Sequence, residues 1–365
     1  MSQLSSPKRA IGASLPGLAR LATSRIVLCV TVLALVSACG GSKGGTPTAP
    51  TNPAASVPPV PSGLTVGALV MKDRTAAISW GASAGATEYV VEVGSTAGGT
   101  DGGTQSAGTA TSFTLRDLRA GRSHVRIKAR NGSGTSAASA EQTFVLPDLG
   151  DYVEAIFLAS GPLRASQSPG CGTHGRWSSF PRGTTVRNLV SAQIPAPSRD
   201  AIRVVLDQVA QATGGSLAAT FEVVADGPRT VGVNEMAHVA LQATSEIQFA
   251  CGSIAGIACT TNNSPIERGG PFSGGLIRWS VAYYVLPNIQ STGPYAHESG
   301  HGVLGMCHID GDGIGGSQQS LMSGGGTLPL RLTPFDIEAL QAVYGSSLAI
   351  GANRADFVAA GLVRP

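Results

Sequence analysis

The sequence predicts a multidomain chain: an all-β sandwich followed by an α+β domain built on a mixed sheet. Between residues 62 and 147, short runs of alternating apolar and polar residues are separated by Gly/Ser/Thr-rich turns, which is typical of antiparallel strands. From residue 150 to residue 365, apolar runs of strand length alternate with helical patterns. A chain of 365 residues is long enough for two or three domains.

The composition excludes several classes of protein. With 42% hydrophobic residues the chain is not wholly disordered, and its 49 glycines follow no G-x-y period, which excludes a collagen-like chain. The formal net charge of +3 comes without a stripe of Lys and Arg, so we expect no nucleic-acid partner.

Residues 1–38 have the pattern of an export signal. Four basic residues, Lys8, Arg9, Arg20 and Arg25, precede the apolar stretch 26–36, and no Asp or Glu occurs before Cys39. The apolar stretch is shorter than the roughly 20 residues that span a bilayer. Without these four basic residues the net charge falls from +3 to −1, so the apparent basicity belongs to the signal.

The segment V-S-A-C-G at 36–40 resembles the lipobox of bacterial lipoproteins. The resemblance implies that Cys39 is lipidated and anchors the exported chain to the bacterial cell envelope, at the outer membrane or the cell surface. An ordinary signal peptide with an incidental cysteine is the alternative. Residues 39–61 are rich in Gly, Pro and Thr and are predicted to form a tether.

Residues 62–147 carry six predicted strands, at 64–66, 76–80, 89–93, 113–115, 125–129 and 143–145. Four features of this segment resemble a fibronectin type III domain: P-S-G-L-T-V at 61–66, the strand that ends in Trp80, G-A-T-E-Y at 85–89 and A-R-N-G at 129–132. The corner tyrosine of that family is replaced here, at Ser123 or His124. Such modules are usually spacers or adhesive units, and the sequence predicts no ligand.

The region 150–365 opens with an apolar run at 152–158 that predicts a strand. A helix capped by Ser198 and ended by the glycines at 214 and 215 is predicted, and strands are predicted at 217–224 and 276–286. His238 has no spacing typical of a metal ligand and is expected to be structural or solvated.

His297-Glu298-Ser299-Gly300-His301 forms an H-E-x-x-H motif. The i,i+4 spacing puts both imidazoles on one face of a helix, where they can bind one zinc ion. Glu298 lies beside them and can accept a proton from water. Two surface histidines on one helix are the alternative interpretation of these residues taken alone.

Three features downstream favour a zinc site. Gly305 and His308 form a G-x-x-H pattern that supplies a turn and a third imidazole, and zinc hydrolases use three protein ligands. S-L-M-S follows at 320–323, and a helix capped by Thr333 and Asp336 is predicted over L-T-P-F-D-I-E-A-L-Q-A-V-Y-G at 332–345. In this order the motifs resemble the matrixin-type metzincin zinc peptidases, with Met322 in the Met-turn.

The resemblance implies a mechanism. One Zn²⁺ per catalytic domain is expected on His297, His301 and His308, with Glu298 as the general base for zinc-activated water that hydrolyses a peptide bond of a protein or peptide substrate. Met322 is expected to pack beneath the site without binding the metal. In the family, the strand before the active-site helix lines the cleft and pairs with substrate, and residues 276–286 are the candidate.

The chain departs from the family pattern by one extra residue between His301 and Gly305. Placing that residue in the last helical turn keeps His308 as the third ligand, with a Cys307 thiolate as the minor alternative. Asp310 is a further candidate oxygen ligand, although a role in supporting the ligands or in solvation is the preferred interpretation. D-G-D-G at 310–313 is weakly similar to a Ca²⁺ loop. Because an EF-type loop needs more regularly spaced oxygens and a terminal Glu, a plain loop is the preferred interpretation.

Four cysteines remain after Cys29 leaves with the signal and Cys39 is lipidated: Cys171, Cys251, Cys259 and Cys307. An even number in an exported chain predicts two disulfides with three possible connectivities. Cys251–Cys259 would close a short loop, which leaves Cys171–Cys307, although spacing alone does not fix the pairing.

Two functions follow from these patterns. The first is a surface-tethered zinc endopeptidase. The second is a surface adhesion or binding lipoprotein whose metzincin-like domain has lost activity, an alternative that the extra residue keeps open. Both share the anchor and the sandwich, so only the metal site separates them.

Overall fold

The computed structural model describes residues 56–165, 175–251, 257–262, 275–310, 320–323 and 327–365. The predicted signal peptide at 1–38, the lipidation site Cys39 and the tether up to residue 55 lie outside these residues. Among the helices of the described part, none is both long enough and apolar enough to cross a membrane.

Eight strands precede the first helix: β1 (Thr65–Val70), β2 (Thr75–Ser79), β3 (Glu88–Gly94), β4 (Gly103–Gly108), β5 (Ser112–Leu115), β6 (Gly121–Asn131), β7 (Gly134–Thr135) and β8 (Gln142–Leu146). All their pairings are antiparallel. One sheet has the order β1-β2-β5, and the other has the order β4-β3-β6-β7, with β8 also paired to β6. Each of the six predicted strands overlaps one of these, so the all-β prediction for this segment is confirmed.

Alternating side chains from both sheets fill one core. Ile78 and Leu115 of the first sheet and Val91 and Ile127 of the second are all buried in it. Ordered contacts also extend before residue 62, because Pro58 and Pro61 are buried and the Asn131 side-chain amide donates to the Ser56 carbonyl over 2.8 Å. At the position of the corner tyrosine, Ser123 is buried.

A five-stranded mixed sheet forms the centre of the second region. Its strands are β9 (Thr184–Ser191), β10 (Leu217–Val224), β11 (Glu235–Leu241), β12 (Ala258–Asn262) and β13 (Trp279–Val285). The order is β10-β9-β11-β13-β12, with the first four strands parallel and β12 antiparallel to β13. The strands predicted at 217–224 and 276–286 are confirmed as β10 and β13.

Six helices complete the described part: α1 (Leu149–Leu158), α2 (Ala196–Ala212), α3 (Thr244–Cys251), α4 (Gly293–Leu304), α5 (Pro334–Tyr344) and α6 (Arg354–Ala359). A 3-10 turn at Leu286–Asn288 connects β13 towards α4. The predicted helix is confirmed as α2, but Ser198 does not cap it: the N-cap residue is Pro195, and Ser198 lies inside the first turn. Ser280 on β13 donates its hydroxyl to the Gly302 carbonyl over 2.9 Å, so α4 lies directly on the sheet.

The prediction of a strand at 152–158 is wrong, because these residues belong to α1. Every residue from Tyr152 to Leu158 is buried, including Glu154, so no polar face marks a helical period. The helix is specified instead by its N-cap: the Asp148 carboxylate accepts hydrogen bonds from the backbone N–H groups of Gly150 and Asp151.

The sandwich and the second region contact each other directly. Residues Ala54–Pro365 form one compact unit. At the turn after β1, the backbone N–H groups of Met71 and Lys72 donate to the two carboxylate oxygens of Glu338 on α5, over 3.1 and 2.8 Å. Glu338 therefore joins the sandwich to the helix that follows the candidate site.

Candidate metal centre

The H-E-x-x-H residues lie on α4, as the sequence predicted. Pro294 occupies the first turn, where a missing N–H does no harm, and Thr292 is the N-cap residue without a side-chain capping bond. His297, Glu298 and His301 are all buried on this helix.

The extra residue is accommodated at the end of α4. The helix continues to Leu304 and ends at Gly305, whose φ of 64° is left-handed. The N–H groups of Gly305 and Met306 donate to the carbonyls of His301 and Gly300 over 3.1 and 3.2 Å, which closes the helix in a glycine-capped turn. The helix is therefore one residue longer than in the family pattern, and the chain reverses at Gly305, so that His308 lies next to α4.

Three imidazoles converge at this point. His297 Nε2 lies 2.9 Å from His308 Nε2, and His301 Nε2 lies 3.0 Å from the same atom. Each of the three residues offers one ligand atom, and these atoms lie within 4.8 Å of one another, so the cluster can hold a metal ion. The predicted ligands His297, His301 and His308 are thus brought together.

Backbone carbonyls orient two of these rings. His297 Nδ1 lies 2.8 Å from the Leu321 carbonyl, and His301 Nδ1 lies 2.6 Å from the Met306 carbonyl. A carbonyl only accepts, so each Nδ1 carries the proton and each Nε2 keeps its lone pair. Such a bond on the far nitrogen is the usual support of a metal-binding histidine.

The electrostatics also favour neutral ligands. Burial, together with the neighbouring His308, lowers the pKa of His297 to about 3. The same two causes, in the same order, hold the pKa of His301 well below its ordinary value. Both rings are therefore uncharged near neutral pH, which is the state that binds a cation.

Glu298 follows His297 on the helix and is equally buried. Burial raises the pKa of its carboxyl group to about 7, opposed by a hydrogen bond from the Thr260 hydroxyl. A carboxyl group with this pKa is partly protonated at neutral pH, so it can both accept and donate a proton.

Met322 is fully buried and packs against α4 at Gly300. A Cβ atom on Gly300 would lie 2.5 Å from the Met322 sulfur, so only glycine lets the methionine approach this closely. Gly300 is one of the two variable residues of the motif and stands directly before His301.

A buried carboxylate on α5 holds the turn that contains Met322. Asp336 accepts hydrogen bonds from four groups: the hydroxyls of Tyr152 and Ser320 and the backbone N–H groups of Leu321 and Thr333. The prediction of a capping box between Thr333 and Asp336 is confirmed, since each side chain also bonds to the other residue's backbone. Burial raises the pKa of Asp336, against the lowering effect of these four donors.

The cysteines are only partly described. Cys259 and Cys307 are each in a disulfide bond, so Cys307 is not a free thiolate and the alternative of a Cys307 metal ligand is not supported. Cys171 and the side chain of Cys251 lie outside the described residues, so the pairings Cys251–Cys259 and Cys171–Cys307 stay predictions.

The predicted calcium loop lies outside the described residues except for Asp310, whose backbone N–H donates to the Leu163 carbonyl over 2.8 Å. Ca²⁺ binding at 310–313 therefore stays a prediction.

The strand that was expected to pair with a substrate is not at the edge of the sheet. Residues 279–285 form β13, which pairs with β11 on one side and with β12 on the other, so its backbone has no free edge for a substrate. The outer strand is β12, and in the described part of the chain no strand pairs with its far side. Sequence reasoning missed β12 because A-C-T-T-N is short and only weakly apolar.

Known proteins give a limited comparison. No protein-family model and no curated protein matches the chain. Solved structures that are similar to part of it include domains from titin, at 22% identity over 25% of this chain and 33% of that chain, TM-score 0.22. They also include the chicken CNTN1 FN1-FN3 domains, at 16% identity over 24% and 31%, TM-score 0.22, and a Fn3-like protein from Clostridium thermocellum, at 26% identity over 24% and 92%, TM-score 0.21. The match to titin and to the chicken protein spans about a third of their length. Part of the chain is thus similar to fibronectin type III modules, and the sandwich itself is established by its strand pairing.

Proposed function

We propose that the chain is a zinc-dependent endopeptidase of the metzincin type, exported and held at the cell envelope through a lipid on Cys39. One observation carries the peptidase proposal: three Nε2 atoms converge beside the buried Glu298, and two of them belong to the same helix as that carboxylate. Zinc prefers tetrahedral sites with nitrogen ligands, and catalytic zinc sites use three protein ligands. The donor set fits this ion.

The roles of the side chains follow from their positions. When bound, zinc supplies Lewis-acid activation of a water molecule and of the scissile carbonyl. His297, His301 and His308 would hold the ion through Nε2, and the carbonyls of Leu321 and Met306 keep two of these rings in place. Glu298 would take a proton from the attacking water and return it to the leaving amine, which its pKa of about 7 allows.

A peptide substrate would lie along β12. Among the described strands none pairs with the outer side of β12, and an extended peptide can add to such an edge by main-chain hydrogen bonds. Because β12 contacts α4 through Thr260, a peptide on this edge passes next to the metal centre. This arrangement replaces the prediction that residues 276–286 pair with the substrate.

The test combines metal content with cleavage. For the purified mature chain we expect one zinc per chain by elemental analysis and cleavage of casein or of a mixed peptide library, abolished by a chelator and restored by zinc. Glu298→Gln should keep the zinc and lose about 100-fold or more in kcat, since general acid–base catalysis contributes about that much. His308→Ala should lose the zinc, whereas the control His124→Ala, in the sandwich, should keep both zinc and activity.

Two results would contradict the proposal. Stoichiometric zinc without cleavage of a broad peptide library favours the alternative, a binding lipoprotein with an inactive domain. If Cys307→Ser lost the zinc and His308→Ala kept it, the third ligand would be Cys307 and not His308.

A further inference from the structure

We propose that Thr260 on β12 is a positioning residue for the general base: its hydroxyl holds one oxygen of the Glu298 carboxylate, so that the other oxygen is directed to the reacting water. This inference rests on the proposed peptidase function and adds a residue to it. Thr260 lies 38 positions before Glu298 and belongs to none of the sequence motifs.

The contact is short and specific. Thr260 Oγ1 lies 2.6 Å from Glu298 Oε2 and 3.3 Å from the backbone carbonyl of the same residue. A hydroxyl has one proton, and the carboxylate oxygen is the nearer acceptor, so the threonine donates to it. No other side chain of the described residues donates to this carboxylate. One oxygen is thus fixed and the second keeps its lone pairs for a proton.

The strand that carries the hydroxyl is itself firmly held. β12 pairs with β13 over five residues, with Thr260 opposite Ala282. The preceding residue, Cys259, packs on the other face of the sheet and is in a disulfide bond. Thr260 is also β-branched, which restricts its χ1 angle. The donor therefore has little freedom to follow a carboxylate that moves.

Holding the Glu298 carboxylate in one orientation affects the chemical step more than it affects substrate binding. Glu298 is buried, and without the donor its carboxylate would rotate freely about its last torsion, which is broad for Glu. A base that is misplaced by about 1 Å can lose about 100-fold in rate. The loss should appear in kcat, because the hydroxyl is used by Glu298 and not by the substrate.

The experiment compares three substitutions at one site. Thr260→Val keeps the shape of the side chain but removes the hydroxyl group. Thr260→Ala removes the hydroxyl group and the γ-methyl group, and Thr260→Ser keeps the hydroxyl group. Thr260→Val and Thr260→Ala should lose about 10- to 100-fold in kcat with KM within about twofold and zinc content unchanged. Thr260→Ser should stay within about threefold of wild type. Thr220→Val, the same change on the opposite edge strand β10, is the matched control and should behave as wild type.

Each outcome of this comparison supports or overturns the role of the Thr260 hydroxyl. Wild-type kcat in Thr260→Val, or an equal loss in Thr260→Ser, overturns the role of the hydroxyl, and a rise in KM at constant kcat assigns Thr260 to substrate binding instead. If Thr260→Val does not fold, the comparison of the alanine and serine variants decides in the same way. If the wild-type chain binds zinc but cleaves no peptide, the proposed function is wrong, and the positioning role of Thr260 is wrong as a consequence.

Discussion

The buried carboxylate of Asp336 supports His297, a proposed metal ligand, through the backbone of a single residue, Leu321, so its substitution should weaken metal binding from a distance. Oδ2 of Asp336 accepts from the Leu321 N–H over 2.9 Å and from the Thr333 N–H over 2.8 Å. The carbonyl of Leu321 in turn accepts from His297 Nδ1 over 2.8 Å. We expect Asp336→Ala to lower both the free energy of unfolding and the affinity for zinc.

The magnitude follows from the groups left without partners. Alanine would remove the acceptor of all four donors, two hydroxyls and two backbone N–H groups. The hydroxyls can rotate toward other acceptors, so we count only the two N–H groups, at about 1–3 kcal/mol each, or about 2–6 kcal/mol together. Part of this is offset because the pKa of Asp336 is raised by burial, which shows that the carboxylate itself is costly to bury. We therefore expect a loss of about 2–4 kcal/mol. Asp336→Asn should lose only about 1 kcal/mol, because its amide oxygen can serve the two N–H groups and its NH₂ can donate to the hydroxyls of Tyr152 and Ser320.

Zinc affinity should fall by about tenfold in Asp336→Ala, the lower end of the effect of removing a residue that supports a metal ligand. Urea unfolding of the metal-free protein gives the first quantity, and competition with a chromophoric chelator gives the second. The control is Asp356→Ala: this residue forms the same capping box with Asn353 on α6, but in an exposed position, so it should leave zinc affinity unchanged. A destabilised Asp336→Ala with wild-type zinc affinity would refute the coupling to His297.

The remaining predictions concern the backbone and the pH response. Gly305→Ala should lower the free energy of unfolding by at least about 2 kcal/mol and abolish zinc binding, because the new Cβ would lie 2.1 Å from the Ser178 carbonyl oxygen at a φ of +64°. Gly214→Ala is the control: φ is also positive there, but the space is open, so the free energy of unfolding should fall by only about 1 kcal/mol. Equal losses in urea unfolding would contradict the steric argument. Burial lowers the pKa of His238 to about 3, so the unfolded chain, with a His pKa of about 6.5, binds more protons, and stability should fall by up to about 5 kcal/mol as the pH decreases from about 6.5 to about 3. His238→Gln lacks this proton, so the stability difference from wild type should shrink in urea unfolding at pH 4.5 relative to pH 7; a constant difference would exclude His238 as the cause.

The parts of the site that the sequence predicted are those with local signals. The i,i+4 histidines of α4 need only a helix to share a face, and Pro294 and Gly305 mark its two ends. The helix α5 is equally local, because Thr333 and Asp336 cap it within one turn. These elements form where the pattern predicts them since each depends on neighbours in the chain.

The parts that could not be predicted depend on topology or on backbone atoms. The support of His297 and His301 comes from the carbonyls of Leu321 and Met306, which every residue type has, so no pattern marks them. Thr260 reaches Glu298 only because β12 is the outer strand next to α4, and strand order does not follow from a short segment. The pattern at 152–158 does not distinguish a helix from a strand, because burial on all sides removes the polar face that marks the helical period.

The extra residue between His301 and Gly305 shows which spacing matters for such a site. One more helical residue advances the chain by about 1.5 Å and turns it by about 100°, which alone would misdirect the following segment. The left-handed Gly305 ends the helix there, and the next residue, Met306, places its carbonyl 2.6 Å from His301 Nδ1. His308 then lies three residues after the glycine, as in the uninterrupted pattern. In this chain the position of His308 beside the other two imidazoles therefore depends on its distance from the glycine turn, and the longer helix before that turn does not separate the three rings.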